Sequence, residues 1–316
     1  MTDVSIIVVT WNTRDMTLRC LGHLSEAIEG LDAEVFVVDN ASTDGTAEAI
    51  RQMYPHVKLI VNERNLGFAA ANNLALARAS GKYVLLLNSD AMVERETIRE
   101  QIAFMDARSE AGACGAQLLN EDGTRQNSFD NFPTFATELL PKRLLRALMP
   151  RKYPGKKHAY TEPLEVESVL GTCMMVRAEA IAQTGTLDED FFFLYEETDW
   201  CLRMRGAGWR IFFVPSARAT HLQGATKASR RAAAKIEYYR SLYKYFRKHY
   251  GGFRSAMFRG LKFCAVFVNM SSLFLANAFT LFTSARLRRR LGVYARAFLW
   301  HLMLCPEGQG LKSEKN

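Results

Sequence analysis

Three runs of continuous apolar residues constrain this chain more than any other feature: VSIIVVT (Val4–Thr10), EVFVVD (Glu34–Asp39) and YVLLL (Tyr83–Leu87). A strand that is apolar at every position must be covered on both faces, which is the situation of a parallel sheet between two layers of helices. The intervening segments supply those helices. Asp15–Ile28 has apolar residues at Met16, Leu18, Leu21, Leu24 and Ile28. A turn at Asn40–Gly45 leads into a helix over Thr46–Met53, Val57–Val61 reads as a further strand, and Phe68–Ala79 as an Ala-rich helix that packs closely. This alternation over the first 90 residues predicts an α/β fold, Rossmann-like, with a mostly parallel sheet flanked by helices.

Such sheets bind ligands outside the carboxyl ends of their strands. Here those ends carry Thr10-Trp11-Asn12, Asp39-Asn40 and Asn88-Ser89-Asp90, all polar and two of them acidic. No GxGxxG follows the first strand and no GxxxxGK[ST] occurs, which argues against a nicotinamide dehydrogenase and a P-loop kinase. A nucleotide bound at this edge would be held by other means.

The stretch from Ala113 to His221 is more mixed. Glu167–Val176 reads as a strand, Glu196–Ala207 as a helix, and Arg210–Val214 as a short strand closed by Pro215. Arg143–Pro163, rich in Lys, Arg, Pro and Tyr without a period, is a candidate loop over the site. The chain divides at about residue 225, into an α/β domain (1–225) and a basic, apolar helical region (226–316) that ends in a loose tail, Lys312–Asn316.

The net charge of +8 is concentrated in that second region: from Arg218 to Lys262 there is one acidic residue, Glu237. Such a block suits an anionic membrane surface or a nucleic acid. What lies beyond decides for the membrane. A helix is expected over Ser229–His249, and Phe263–Thr283 then runs for 21 residues without a charge. At roughly 100° per residue, Lys262, Asn269, Ser272, Asn277, Thr280 and Thr283 share one sector, with Ser271 straying. A one-sided polar stripe favours a helix lying in the interface, with Arg286–Arg290 at the headgroups, over a spanning helix or a soluble packing surface. Nucleic-acid binding is not expected.

Six cysteines at 20, 114, 173, 201, 264 and 305 contain no CxxC pair, so neither a zinc knuckle nor a redox motif is indicated. Several lie in apolar runs, which favours a reducing compartment. The Met-Thr-Asp start runs directly into a strand, and the expected location is the cytoplasm, on the inner face of the plasma membrane.

The blocks VSIIVVTWN, VVDNASTDGT, NLGFAAANN, LLLNSDA and GTCMMVR…LDEDFFFLYEETDWCLRMRGAGWR together resemble the family 2 glycosyltransferases of the GT-A fold. They cover residues 4–221, some 70% of the chain, and the NSDA form looks most like the bacterial rhamnosyltransferase branch. The resemblance implies a nucleotide-sugar donor and a role for each block. Asp39 would accept the imide N–H of uracil or thymine, a role favoured by the match of the whole block over that of an Asx-turn residue capping the next helix. Thr10 and Asn12 would line the base and ribose pocket. Asn65 and Gly67 precede a helix whose N-terminus offers N–H groups to the nucleotide, and Asn72 or Asn73 would face the pocket. Asn88-Ser89-Asp90 stands where the family has Asp-x-Asp, so Asp90 would hold Mg²⁺ or Mn²⁺ with His221, and Asn88 would line the diphosphate. Among Glu196, Glu197 and Asp199, a carboxylate beside the aromatic run Phe191–Tyr195 gains basicity by desolvation. The family position of the base maps onto Glu197, with Asp199 in reserve.

These matches imply an inverting transfer of a sugar to a hydroxyl of a lipid-linked or polysaccharide acceptor in cell-envelope glycan synthesis. Rhamnose from dTDP-rhamnose is the first expectation, with UDP- and GDP-sugars behind it. A non-catalytic sugar-nucleotide-binding scaffold at the membrane is the alternative, because the metal motif is degenerate. The sequence leaves the oligomeric state open.

Overall fold

The computed structural model describes residues 2–156, 158–222 and 231–311. The expected tail Lys312–Asn316, the division near residue 225 and the first residues of the helix expected from Ser229 lie outside the described residues. The chain begins β1 (Val4–Thr10), α1 (Arg14–Ala27), β2 (Ala33–Asp39), α2 (Thr46–Met53), β3 (Lys58–Val61), α3 (Phe68–Leu76) and β4 (Tyr83–Asn88). All seven correspond to expected elements. Side chains alternate between two apolar layers: Val4, Ile6 and Val8 of β1 enter one, Ile7 the other. In β2, Val35 and Val37 oppose Phe36 and Val38 in the same way. Both layers are covered by helices, as strands apolar on both faces require.

The chain continues with β5 (Ala91–Val93), α4 (Arg95–Ala107), β6 (Ala111–Leu119), β7 (Phe129–Asp130), α5 (Phe135–Leu139) and α6 (Lys142–Leu148). There follow β8 (Leu164–Val166), β9 (Ser168–Val169), β10 (Cys173–Arg177), α7 (Ala178–Thr184), α8 (Glu196–Gly206) and β11 (Arg210–His221). The main sheet has the order β3-β2-β1-β4-β10-β6-β11-β5, with β8 also on β11. β3, β2, β1 and β4 are parallel, and β10 runs antiparallel to β4 and β6.

Three expectations need correction. Glu167–Val176 is not one strand: β9 pairs with β7 in a separate two-stranded sheet, and a turn at Gly171-Thr172 precedes β10. That turn presses against α3 and α8, for a Cβ on Gly171 would stand 3.4 Å from the Phe68 ring and 3.8 Å from Glu197 Cβ. Secondly, β11 does not stop at Pro215. Its register against β6 shifts between Val214 and Arg218, so the proline sits in a bulge where its missing N–H breaks no ladder. The strand thereby reaches His221, opposite Ala91. Thirdly, Arg143–Pro163 is not loop throughout, since α6 occupies its beginning and Tyr153 is buried.

Among the described residues three helices follow, α9 (Arg231–Tyr250), α10 (Gly252–Phe279) and α11 (Ala285–Leu302), around a third apolar cluster that includes Phe191, Phe246, Phe258 and Trp300. Among the described residues α10 is the one helix long and apolar enough to cross a membrane by length and composition. The polar stripe is partly turned inward. Lys262 donates to the carbonyl and Oε2 of Glu138 at 2.7 and 2.8 Å, and Asn277 is buried. Thr280 and Thr283 fall beyond the helix, whose end is marked by left-handed Leu281 and Phe282. Phe253, Phe267, Val268, Phe274 and Leu275 are exposed.

Candidate active site

The register of the parallel strands assembles the polar strand ends. Thr10 lies beside Asp39, and Val9 beside Asn88. Asp39 is buried, and its two carboxylate oxygens accept from the Ser42 N–H at 3.3 Å. Burial pushes its pKa up, the Ser42 bonds oppose that, and Asp44 and Glu48 add to the rise. Thr10 is equally buried but its hydroxyl pairs with Thr13 and Thr17, under the loop and not at its surface. Asn12, in the left-handed region at φ 52°, accepts from the Thr43 N–H at 2.7 Å. The side chains of Thr10 and Asn12 thus fasten the loops around Asp39.

The residue that shapes this corner is Asn40, to which no role was assigned from sequence. Its Nδ2 donates to Asn65 Oδ1 (2.9 Å) and the Gly67 carbonyl (3.1 Å), while its Oδ1 accepts from Asn62 and the Leu66 N–H. Asn65 also accepts from the Gly67 N–H, so it acts as a turn residue. The Asn72 amide donates to the Phe68 carbonyl, and Asn73 to Leu187 and Glu189, which removes both amides from the pocket wall expected for one of them.

Gly67 sits at φ +85°, and a Cβ there would meet the Phe192 carbonyl at 2.4 Å. Gly67→Ala is therefore expected to destabilise the protein by about 2–4 kcal/mol, through a forbidden φ and a backbone clash together. Thermal unfolding checks this, and a loss below 1 kcal/mol would mean that the approach is looser than the structure has it.

Beyond β4, Asn88 bonds Thr172 through its backbone N–H (3.0 Å) and its amide (3.3 Å). Asp90 Oδ1 stands 3.4 Å from His221 Nε2, brought there by the pairing of β11 with β5. His221 Nδ1 lies 2.9 Å from Gln126 Oε1. The Gln126 amide nitrogen donates to the His221 carbonyl at 2.6 Å and to Asn120 Oδ1, which leaves Oε1 as an acceptor for an Nδ1–H. In that tautomer the Nε2 lone pair faces the carboxylate, and two electron-rich atoms at this distance fit a cation between them. Gln126, 95 residues from the histidine, gave no sequence signal.

The turn at Gly171-Thr172 connects Asn88 to Glu197, at the start of α8. Glu197 is half-buried, with one carboxylate oxygen sealed from water and lacking a hydrogen-bond partner. Burial raises its pKa to about 7. Glu196 is buried more deeply, and burial together with the charge of Glu197 holds its pKa well above the usual range. Neutral Glu196 therefore leaves Glu197 as the group that ionises near neutral pH.

Asp199, the reserve candidate, does not fit the role of base. Its side chain is sealed from solvent, and it binds Arg203, Lys248 and His249, each at 2.8 Å. Burial would raise its pKa, but the bonds from His249, Lys248 and Arg203 outweigh it and hold it at about 2. Asp199 is an anchor between α8 and α9. The same helix α9 holds the approach to Glu197: Ser241 donates to the Phe193 carbonyl at 2.9 Å, and Tyr195 packs on Tyr238 and Tyr245. Leu194 and Tyr195 adopt φ 71° and 74°, an unfavourable conformation for bulky residues that these contacts enforce.

The polar ends of a parallel half-sheet, a facing carboxylate and imidazole, and a desolvated carboxylate at the start of α8 form the candidate active site, on the fold of the GT-A glycosyltransferases. The chain matches the Glycosyl transferase family 2 model over residues 5–185. It is 30% identical over 278 residues to the N-acetylglucosaminyl-diphospho-decaprenol L-rhamnosyltransferase of Mycobacterium tuberculosis, covering 82% of this chain and 89% of that one. It is 31% identical over 210 residues to the low-salt glycan biosynthesis hexosyltransferase Agl10 of Haloferax volcanii, covering 64% and 62%. The fold is shared with the mannosyltransferase PcManGT of Pyrobaculum calidifontis, solved with GDP-Man and Mn²⁺, at TM-score 0.55 and 18% identity over 95% and 90% of the two chains. The chain belongs to glycosyl transferase family 2, and it is a glycosyltransferase.

Proposed function

We propose that this enzyme moves a sugar, rhamnose from dTDP-rhamnose in the first instance, to a hydroxyl of a lipid-linked acceptor in cell-envelope glycan synthesis, with inversion. The observation that carries the reading is the half-buried Glu197 carboxylate, one oxygen sealed and without a hydrogen-bond partner, beside the Gly171-Thr172 turn that Asn88 of β4 binds. Glu197 takes the acceptor's hydroxyl proton as that oxygen bonds the anomeric carbon. The bond from this carbon to the diphosphate breaks with its electron pair on the nucleotide, and the leaving group carries the charge away. Asp39 reads the imide N–H of the base, a contact that thymine and uracil share. Asp90 and His221 would hold Mg²⁺ or Mn²⁺, with Gln126 orienting the imidazole, and the remaining ligands would come from diphosphate and water. Such an ion supplies neutralisation of the departing diphosphate.

Thermal shift with dTDP, UDP, GDP and NAD, each with and without Mn²⁺, tests this. One nucleoside diphosphate should stabilise the protein, more so with metal, and Asp90→Ala should abolish the metal-dependent increment alone. An unchanged increment would remove Asp90 from the metal site.

Residues 1–225 form the catalytic unit in this reading, and 226–316 attach it to the cytoplasmic face of the membrane. Helix α10 lies in the interface with Phe267, Phe274 and Leu275 toward the lipid, and Arg286 and Arg288–Arg290 at anionic headgroups. Full-length protein should cosediment with phosphatidylglycerol vesicles, and Phe274→Ser should weaken partition about tenfold. Equal partition of the variant would point to another attachment face.

A further inference from the structure

A cleft lies between α5, α6 and the segments around Asp130 and Tyr153. Lys142, Arg146 and Lys156 converge on it. Its two carboxylates are already neutralised, Asp130 by an ion pair with Lys156 and Glu138 by Lys262 at 2.8 Å. Lys142 and Arg146, one turn apart on α6, have no ion pair among the described residues. Two uncompensated cations on one face of a helix create a local positive field at this cleft.

The position of this cleft links the base to the membrane-facing part of the molecule. Asp130 pairs with Ser168 in the small sheet, and its charge reaches Glu197. On the other side, Glu138 is held by Lys262 of α10, the helix with the exposed apolar face. The far side of α6 carries Leu144 and Leu148, both exposed. A ligand with an anionic head and an apolar chain would thus find cations on one side of α6 and exposed leucines on the other.

We propose that Lys142 and Arg146 bind the diphosphate of a lipid-linked acceptor and so select for it. This rests on the transferase reading above. It adds that recognition is of the phosphate chemistry and occurs apart from the donor site. Charge-assisted hydrogen bonds to a phosphate are each worth about a factor of ten or more in affinity.

Farnesyl diphosphate, with farnesol as its uncharged counterpart, probes the site directly in EDTA, where metal-supported binding at the donor site is suppressed. Wild type should bind the diphosphate and not the alcohol. Lys142→Ala/Arg146→Ala should weaken binding about 30-fold or more, with dTDP binding in Mn²⁺ unchanged, and Lys142→Glu should act in the same direction. Equal binding by the double variant, or equal binding of farnesol, would overturn the proposal. So would a double variant that loses only its retention on phosphatidylglycerol vesicles, because the cations would then read lipid headgroups. Loss of dTDP binding by wild type would sink the donor assignment instead, and the farnesyl diphosphate result would still stand or fall by itself.

Discussion

Glu197→Gln should abolish transfer, lowering kcat by about 10²–10⁴-fold while leaving donor affinity within a few fold. Glutamine keeps the shape of the side chain and its place at the start of α8 but accepts no proton. The wild-type pH profile should report the same group. With a pKa of about 7, the base is ionised above neutrality, so kcat/KM should fall one decade per pH unit on the acid side. A stability measurement gives a readout independent of turnover. The folded pKa lies above the ordinary 4.5, so the folded state holds this proton more tightly. Stability is therefore lost as pH rises from about 4.5 to 7 and stays reduced above. Glutamine removes that loss, and the variant should be more stable than wild type at pH 8 by on the order of 2 kcal/mol, a difference that closes toward pH 4.5. Activity within tenfold of wild type would show that another group takes the proton.

Asp199→Asn should behave oppositely, costing about 2–4 kcal/mol at neutral pH, because a buried anion that satisfies three cations is removed. The cost has an upper limit: Arg203 keeps its bonds to the Thr184 and Thr186 carbonyls, and Lys248 keeps Asp188 at 2.5 Å. Here the folded pKa, about 2, lies below the ordinary 3.8. The stabilisation is complete above 3.8 and disappears as pH falls through 2, so denaturant unfolding at pH 5–7 should show the full difference and acid should erase it. Activity should drop as the grip of α9 on the Phe191–Tyr195 approach loosens, yet the acid limb near pH 7 should stay in place. A displaced limb with unchanged stability would make Asp199 the base.

These two carboxylates mark how far sequence reading reaches. They are two residues apart in α8, which places them roughly 200° apart around the helix axis, facing opposite surroundings. Composition and spacing show an acidic cluster beside aromatic residues. They do not show that Lys248 and His249, some fifty residues on, close over one of its members. The same holds for His221. Pro215 signals a strand end, and only the bulge in β11 carries the strand past it to Asp90. Asn40 and Gln126 were missed for a related reason: an amide that organises a loop leaves no pattern until its partners are known.

What the sequence by itself determined is the part written in local periodicity. Strands apolar on both faces must lie in a covered parallel sheet, and their polar ends must then line its carboxyl edge, which places Asp39, Asn88 and Asp90 there. The five motif blocks in their order carried the resemblance to the family. Tertiary structure decided which polar groups stay available for chemistry. Thr10, Asn12, Asn72 and Asp199 are engaged by neighbours in space, while Glu197 keeps a sealed carboxylate oxygen without a hydrogen-bond partner. It also turned Lys262 and Asn277 of the α10 stripe inward, against Glu138 and the protein interior. The physical reason is the same throughout: a hydrogen bond or an ion pair is a relation between groups distant in sequence, and the sequence records only one partner at a time.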